Sequence, residues 1–234
     1  MEPRMPRQEP DPRDEWFDVV DVHASPTGEV KRRADVHADG DWHRAFHCWV
    51  IVRSRDAQPA IVFQRRSASK DTYPGRLDVA VGGHYRAGEG FDEVVREIDE
   101  ELGISPPVDA LVNVGRRWAE NITESWVDRE IEDVYVYALS APVATLRPSF
   151  EEITALDVIT VRAIESLFSG EEPTIASRRF LVTPEDELES ETVAEVTLED
   201  FIPVQDGYWL HGARAAQAVL SGETDVQLQL DKAN

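Results

Sequence analysis

Four glutamates lie at positions i, i+4, i+7 and i+8 of a helix that the sequence predicts over residues 92–102: Glu93, Glu97, Glu100 and Glu101. This spacing places the four carboxylates on one face of the helix. Two like charges at i and i+4 cost roughly 0.2–0.5 kcal/mol, so the face is either solvated or neutralised by a cation. Mg²⁺ prefers carboxylate oxygens and leaves room for water and a substrate phosphate. A metal site and a solvated acidic surface are therefore the two interpretations.

A glycine-rich loop, GGHYRAGEG over residues 82–90, leads directly into this helix. Glycines allow backbone amides to approach an anion closely, which is the geometry that phosphate binding needs. A basic residue, Arg96, lies inside the acidic cluster. The loop, the arginine and the acids together favour metal-assisted phosphate chemistry over a plain acidic surface.

Nine positions of this segment resemble the Nudix box, whose usual form is GX5EX7REUXEEXGU. They are Gly83, Glu89, Arg96, Glu97, Ile98, Glu100, Glu101, Gly103 and Ile104, with Gly82 preceding them in the loop. Six residues separate Glu89 from Arg96 here, where the box has seven. Counting back from the helix puts Gly88 at the position of the loop glutamate, so the missing residue falls in the loop and the helix register is intact.

The resemblance implies an α/β/α sandwich around a mixed sheet, and hydrolysis of a nucleoside diphosphate linked to another moiety with Mg²⁺ or Mn²⁺. It also implies that Glu97, Glu100 and Glu101 coordinate the metal and that Arg96 orients a carboxylate. Metal ions neutralise a diphosphate and lower the pKa of water. In this family the general base comes from the box or a later loop, so Glu100 is the first candidate. Glu152 is the second, with a surface acid as its alternative role.

The flanks of the box resemble type 1 isopentenyl-diphosphate isomerases, which share the Nudix fold. The similar segments are TGEVKRRADVH, HRAFHCWV, QRRSASKDTYPG and DVAVGGH. Those isomerases bind one metal through three histidines and two glutamates. The resemblance implies a second metal site at His37, His43, His84, Glu130 and Glu132. The two glutamates are two residues apart on a predicted strand, so they face the same way. Unrelated surface histidines are the alternative.

Arg33, Arg66 and Lys70 occupy the positions that hold the diphosphate in those isomerases. In so acidic a chain these local cations favour a path for an anionic ligand, with ordinary surface charge as the alternative. The isomerases have a catalytic cysteine where this chain has Gly82, and the only cysteine, Cys48, is predicted in the core. We therefore predict a hydrolase. An isomerase of isoprenoid diphosphates and a Nudix-fold binding module without turnover are the alternatives.

The remaining pattern predicts a mixed α/β or α+β fold. Strands are expected over residues 46–52, 60–64, 77–81 and 130–139, and helices over 92–102, 161–168 and 207–220. A turn at 25–28 joins two short strands, and residues 184–200 are expected to form a solvated loop. The predicted domains are a disordered tail (1–14), an N-terminal β extension (15–40), a Nudix domain (41–170) and a C-terminal extension packed on it (171–234).

The charge of the chain bears on its partners. It has 46 acidic and 24 basic residues, a formal charge of −22, which argues against bulk nucleic acid and anionic membranes as partners. A small diphosphate is the expected partner, and the C-terminal extension could also form a homodimer interface. One cysteine cannot form an internal disulfide, and the sequence has neither an apolar run of about 18 residues nor a secretory signal. A cytoplasmic protein is expected.

Overall fold

The computed structural model describes residues 15–70, 72–122 and 127–231, so the predicted tail over residues 1–14 lies outside the described residues. In this part of the chain there are eleven strands: β1 (Trp16–Val20), β2 (Pro26–Arg32), β3 (Trp42–Arg53), β4 (Pro59–Arg66), β5 (Leu77–Val79), β6 (Val81–His84), β7 (Leu111–Ile122), β8 (Val127–Ala138), β9 (Ile153–Thr160), β10 (Ile175–Leu181) and β11 (Thr192–Val196). The helices of the same residues are α1 (Arg33–Asp39), α2 (Phe91–Val94), α3 (Arg96–Leu102), α4 (Val161–Ser169) and α5 (Tyr208–Leu220). The predicted mixture of strands and helices is confirmed.

The chain divides into two compact units. Unit 1 contains the described residues of Met1–Ala45, His84–Val94 and Trp118–Glu132. Unit 2 contains Phe46–Gly83, Val95–Arg117 and the described residues of Asp133–Asn234. The residues of the Nudix-box segment are therefore divided between the two units. Most of the glycine loop and all of α2 belong to unit 1, whereas α3 belongs to unit 2.

Unit 1 is built on the antiparallel hairpin of β1 and β2, with β1 also pairing with the start of β3. The turn predicted at residues 25–28 is displaced, because β2 already begins at Pro26. An earlier side chain sets the turn: Asp21 Oδ1 accepts hydrogen bonds from the amides of His23 and Ser25, both at 2.9 Å. Helix α1, which the sequence analysis missed, follows β2 directly and ends at Gly40 in the left-handed conformation.

Unit 2 is built on a sheet in which the strand order is β11-β10-β9-β4-β3. The pairs β3–β4, β4–β9, β9–β10 and β10–β11 are all antiparallel, and β5 pairs with β4 in the same sense. The predicted loop over residues 184–200 is wrong in part, since it contains β11. Only its apolar Val196 is buried, which is why the segment looked solvated in the sequence.

Helices cover both faces of this sheet, and two neighbouring residues of β4 show it. The ring of Phe63 lies 6.1 Å from that of Trp209 in α5, whereas the side-chain amide of Gln64 donates a hydrogen bond to Glu101 in α3. Successive side chains of a strand point to opposite faces, so α5 and α3 lie on opposite sides of β4. Within unit 2 the predicted α/β/α sandwich is therefore present.

A glycine brings α5 against the core of unit 2. A Cβ built on Gly212 would stand 2.7 Å from Cη2 of Trp49, which is fully buried on β3. No larger residue fits this contact without movement of the indole. Tyr208 and Trp209, on the first turn of α5, pack against the same tryptophan with ring centroids at 5.3 and 6.0 Å. The C-terminal helix is thus part of the core.

A buried carboxylate ties the C-terminal strands to the sheet. Asp157 on β9 is fully buried and accepts hydrogen bonds from Ser177 Oγ (2.7 Å), Arg179 Nε (2.9 Å) and Arg65 Nε (3.3 Å). Arg65 also reaches Asp200 Oδ1 at 3.0 Å, in a 3₁₀ turn that follows β11. Buried charges are tolerated only when they are paired and hydrogen-bonded, and the carboxylate of Asp157 meets that condition.

We predict that Gly212→Ala lowers the free energy of unfolding by about 3 kcal/mol, because the new methyl group overpacks Trp49. Arg214→Ala on the same helix is the matched control, since its side chain is exposed and forms an ion pair with the partly exposed Glu165. We expect the control to cost less than about 1 kcal/mol. Urea unfolding followed by tryptophan fluorescence measures both. Equal stability of Gly212→Ala and the wild type would contradict the packing described.

Candidate functional site

The predicted helix over residues 92–102 is two short helices in the structure. Helix α2 ends at Val94, α3 begins at Arg96, and Gly103 ends α3 with φ +69°. The four glutamates therefore do not act as one set. Glu93 Oε2 accepts the amide of Gly90 at 2.9 Å and so caps α2, while the other three lie on α3.

Glu101 carries the most buried carboxylate of α3, at 4% exposure. Its Oε2 accepts hydrogen bonds from Gln64 Nε2 at 2.9 Å and from the amide of Gly82 at 3.3 Å. Burial raises the pKa of Glu101 to about 8, and although Lys70 lowers it, the carboxylates of Glu97 and Asp78 raise it further. Several acids thus crowd one buried place, where added positive charge would be stabilising.

Glu97 lies against the glycine loop. A Cβ built on Gly83 would stand 2.6 Å from Oε2 of Glu97, so the carboxylate occupies the space that a side chain would fill. Arg96 holds this helix turn together, because its Nη1 donates to Glu97 Oε1 and, at 3.0 Å, to Glu100 Oε2. Glu100 is the most exposed of the three, at 26% of its side chain.

The second candidate base lies beside one of the candidate cations. Lys70 forms an ion pair with Glu152, and the two side chains are 25% and 17% exposed. Their loops are joined, since the amide of Ser67 donates to the carbonyl of Glu152 at 2.8 Å. Because Lys70 also acts on the pKa of Glu101, the lysine lies near both Glu152 and the acids of α3.

Arg66 is engaged differently from Lys70. Its Nη1 donates to Asp78 Oδ2 at 3.0 Å, and its other nitrogens donate to the carbonyl and hydroxyl oxygens of Thr72 at 3.0 and 2.9 Å. The guanidinium therefore closes the loop between β4 and β5 in the structure. The diphosphate-binding role predicted for Arg66 stays a prediction.

Unit 1 brings together four of the five residues of the predicted second metal site, and adds Asp128. Nε2 atoms of His37 and His43 lie 3.5 and 3.6 Å from Asp128 Oδ1. The His43 ring lies 5.4 Å from the ring of His37 and 5.3 Å from that of His84, and it stacks on Phe17 at 5.1 Å. Burial, and next the neighbouring His84, lower the pKa of His43 to about 4. Its imidazole is therefore neutral at pH 7.

Hydrogen bonds determine the tautomer of His84. Arg33 Nη1 lies 3.3 Å from Nδ1, and a guanidinium can only donate, so Nδ1 accepts. Nε2 then carries the hydrogen and donates to Glu130 Oε1 at 2.8 Å. Burial, followed by Arg33, lowers the pKa of His84 to about 4. Arg33, a predicted diphosphate ligand, is thus in contact with a histidine and with Glu15, whose Oε2 is 3.5 Å away.

Asp128 and His47 were not predicted from the sequence. Asp128, Glu130 and Glu132 are spaced by two along β8, so the alternation that predicted a shared face for the glutamates extends to the aspartate. Glu132 is buried. It belongs neither to the group of His37, His43 and Asp128 nor to the group of His43, His84 and Glu130, which are the two histidine groups within unit 1. His47 on β3 lies in unit 2, and although it falls within the similar segment HRAFHCWV, the resemblance gave it no role.

The loop residues have structural partners. Glu89 Oε2 accepts the amide of Arg86 at 2.8 Å, which closes the loop around Gly88, and Gly88 has φ +81°. Beside Gly82, a built Cβ would stand 3.6 Å from Nε2 of His47. Cys48 is fully buried, as predicted, and its burial raises the pKa of the thiol.

Residues 41–177 match the family model of the NUDIX domain. The chain is 30% identical over 196 residues to an uncharacterized Nudix hydrolase of Clostridium acetobutylicum, which covers 84% of this chain and 94% of that relative. The chain belongs to the Nudix family. It is also 29% identical over 138 residues to an isopentenyl-diphosphate Delta-isomerase of Streptomyces avermitilis, which covers 58% of this chain and 66% of the isomerase.

Among solved structures, a Deinococcus radiodurans protein is similar with a TM-score of 0.47 and 24% identity, over 68% of this chain and 91% of that protein. Both resemblances drawn from the sequence are confirmed by the relatives, and the prediction of a Nudix hydrolase is confirmed at the level of the family. None of the helices in the described part of this Nudix chain is long and apolar enough to cross a membrane.

The two cations of unit 2 are expected to respond differently to removal of their charge. Arg66→Met leaves Asp78, which is 6% exposed, without its guanidinium, so we expect a loss of about 3 kcal/mol in unfolding free energy. Lys70→Met breaks a more exposed pair and should cost about 1 kcal/mol or less. Urea unfolding at pH 7.5 measures both variants. A larger loss for Lys70→Met than for Arg66→Met would contradict these roles.

Proposed function

We propose that this chain is a metal-dependent Nudix hydrolase that cleaves the phosphoanhydride bond of a small substrate of the nucleoside diphosphate-X type, with water attacking phosphorus. The observation that carries the proposal is the meeting of Glu97 and Glu101 on α3 with the glycines of the loop. Glu101 is bonded to the amide of Gly82, and Glu97 fills the space over Gly83. An anion and its metal would there share one short stretch of backbone.

The acids of α3 fit a divalent cation such as Mg²⁺ or Mn²⁺. Glu97, Glu101 and Asp78 are all buried, and Lys70 is the cation that lowers the pKa of Glu101. Glu97, Glu100 and Glu101 would hold the metal, which suits hard carboxylate oxygens. When bound, the metal supplies neutralisation of the diphosphate charge.

The remaining residues of the site have defined tasks in this proposal. Arg96 orients the carboxylates of Glu97 and Glu100 through its two hydrogen bonds. Lys70 is the cation placed to receive an anionic substrate. Glu100 is the proposed general base, because its carboxylate is the most exposed of the three on α3. Glu152 is second, since its carboxylate is already engaged in the ion pair with Lys70.

Hydrolysis should depend on Mg²⁺ and on Glu101. Release of phosphate or nucleoside monophosphate is measured over a panel containing ADP-ribose, NADH, dinucleoside polyphosphates and isopentenyl diphosphate. Loss of an outer-shell partner of a metal costs about 10- to 100-fold, so Glu101→Gln, which removes a direct ligand, should lower kcat/KM by about 100-fold or more. Comparison of Glu100→Gln with Glu152→Gln then identifies the base, as the larger loss in kcat.

A pair of glycines provides a matched control in the same experiment. Gly83→Ala displaces the Glu97 carboxylate and should abolish Mg²⁺-dependent turnover, whereas a methyl group on Gly82 meets only ordinary contacts of 3.6 and 3.7 Å. The hydrolase proposal is wrong if wild type and Glu101→Gln give the same background. Conversion of isopentenyl to dimethylallyl diphosphate would instead support an isomerase, and tight binding without turnover a binding module.

We also propose that unit 1 holds a second metal through His37, His43 and Asp128. His43 is fully buried, and within the described residues its Nε2 has no hydrogen-bond partner although it faces Asp128 Oδ1. Imidazole and carboxylate donors suit Zn²⁺, Mn²⁺ or Fe²⁺. His84 fits a supporting role better, because Arg33 requires Nδ1 to accept and thus keeps the hydrogen on Nε2. Glu130, at 4.0 Å from His43 Nε2, is a further candidate donor, and Glu132 stays a prediction.

Zn²⁺ titration followed by calorimetry tests the second metal site. His37→Gln and Asp128→Asn should each weaken Zn²⁺ binding by about 100-fold or more, and His84→Gln by about 10-fold, as for an outer-shell residue. His23→Gln, which changes an exposed histidine of the same unit, should have no effect. If His84→Gln removes the metal as completely as His37→Gln does, the assignment of His84 is wrong.

A further inference from the structure

We propose that Asp186, in the connection between β10 and β11 of the C-terminal extension, is a positioning residue of the candidate active site. Its carboxylate holds the turn at residues 149–152, which carries Glu152, and the ion pair of Glu152 in turn positions Lys70. The role of Lys70 as the cation that receives the substrate rests on the proposed function. The hydrogen bond of Asp186 can be tested without any substrate.

The turn at residues 149–152 contacts both α3 and the loop after β4. The carbonyl of Ser149 accepts the amide of Glu152 at 3.1 Å, which closes the turn. The amide of Ser149 donates to the carbonyl of Glu101 at 2.9 Å, and the carbonyl of Glu152 accepts the amide of Ser67 at 2.8 Å. The backbone of the turn is therefore tied to the metal-site helix on one side and to the loop that carries the candidate cation on the other.

Asp186 provides a third attachment of this turn, from the C-terminal extension. Its Oδ1 accepts the backbone amide of Phe150 at 2.8 Å, across 36 positions of sequence. The side chain of Phe150 is 39% exposed, so this part of the turn faces the surface. A charged acceptor binds an amide more strongly than a neutral one does. The carboxylate therefore restrains the turn where its neighbours within the Nudix domain do not cover it.

The local backbone holds the carboxylate of Asp186 in place. Asp186 has φ +58°, in the left-handed region that aspartate, asparagine and glycine tolerate better than other residues. Its amide donates to the carbonyl of Thr183 at 3.0 Å, and the amide of Thr183 donates to the carbonyl of Glu187 at 2.8 Å. The amide of Val182 joins this connection to β9, at 3.0 Å from the carbonyl of Thr154. A defined turn thus presents the acid to residues 149–152.

The ion pair between Glu152 and Lys70 links the turn to the acids of α3. The two side chains are 17% and 25% exposed, so the pair is largely shielded from water. Lys70 also lowers the pKa of Glu101, which means that its ammonium group lies near the acids of α3. If the turn moves, the carboxylate that holds Lys70 moves with it. Asp186 therefore acts on substrate binding through Glu152 and Lys70, without a substrate contact of its own.

Amide hydrogen exchange of Phe150, followed by NMR, tests the first contact in the free protein. Asp186→Gly keeps the left-handed backbone and removes the acceptor, so we expect this amide to exchange about fivefold faster, the factor for one hydrogen bond. Asp186→Asn keeps an acceptor at the same place and should change the rate by less than about twofold. Equal rates in wild type and Asp186→Gly, or equal increases in both variants, overturn the contact.

Ala57→Gly is the matched control for the glycine itself. Ala57 lies in another exposed turn of unit 2, at the opposite end of β4 from the loop that carries Lys70, and it has φ +59°. Glycine there changes the entropy of the unfolded chain in the same way as in Asp186→Gly, but it removes no acceptor from residues 149–152. We expect the exchange of the Phe150 amide to be unchanged in this variant. An increase equal to that of Asp186→Gly overturns the assignment of Asp186.

Binding of methylenediphosphonate with Mg²⁺, measured by calorimetry, tests the step from Asp186 to Lys70. This probe is a diphosphate that is not hydrolysed at its bridge. We expect its Kd to rise about 10-fold in Lys70→Met, as for loss of a charged contact, and about threefold in Asp186→Gly, whose effect is indirect. Asp186→Asn and Ala57→Gly should stay within about twofold of wild type. An equal loss in Asp186→Asn and Asp186→Gly would overturn the proposal.

A double-mutant cycle shows whether the two residues act together. In the Lys70→Met background, Asp186→Gly should have no further effect on the Kd of the probe, because its influence passes through the missing lysine. A full threefold loss in that background overturns the proposal, as does an unchanged Kd in Asp186→Gly alone or a probe that does not bind wild type. Turnover of the substrate panel beside any of these results would leave the hydrolase intact. The expected exchange and binding pattern without turnover would support Asp186 and contradict the hydrolase.

Discussion

The burial of a carboxylate, that of Glu101, is the constraint on which the rest of this structure depends. Burial raises the pKa of this carboxyl group to about 8, so its charged form is stabilised only where donors and cations face it. The side-chain amide of Gln64 and the backbone amide of Gly82 provide the donors, and Lys70 is the nearby cation. Each comes from a different segment of unit 2, so β4, the loop after it and Gly82 must all reach the last turn of α3.

The same requirement shapes the chain around α3. The helix ends at Gly103, where any side chain would collide with Arg147, and the carbonyl of Glu101 accepts the amide of Ser149 at 2.9 Å. That segment leads to Glu152 and its ion pair with Lys70. The acids, the lysine and both candidate bases are therefore held by one continuous set of backbone contacts within unit 2. Single substitutions can therefore separate the roles of these side chains, because backbone hydrogen bonds hold the segments that carry them.

Sequence reasoning reached the residues of α3 because helix periodicity places glutamates 97, 100 and 101 without knowledge of the fold. It misjudged Glu93, since a capping interaction with Gly90 depends on where a helix begins. It missed β7, β9 and β10, as well as β11, whose exposed positions carry most of the pattern, and α1, which is short. Asp128 was within reach of the two-residue alternation of β8. His47 was not, because its partner Tyr208 is 161 residues away and only packing brings them together.

The contact between Trp49 and α5 also has a consequence for how the protein folds during synthesis. The hydrogen bond from Trp49 to Tyr208 joins residues that are 159 positions apart. The ribosome must therefore add that length of chain before α5 can pack on the tryptophan. Contacts so distant in sequence slow folding, and the aromatic face of the sheet stays exposed to other molecules in the meantime. The core of unit 2 therefore closes only after most of its strands have been synthesised.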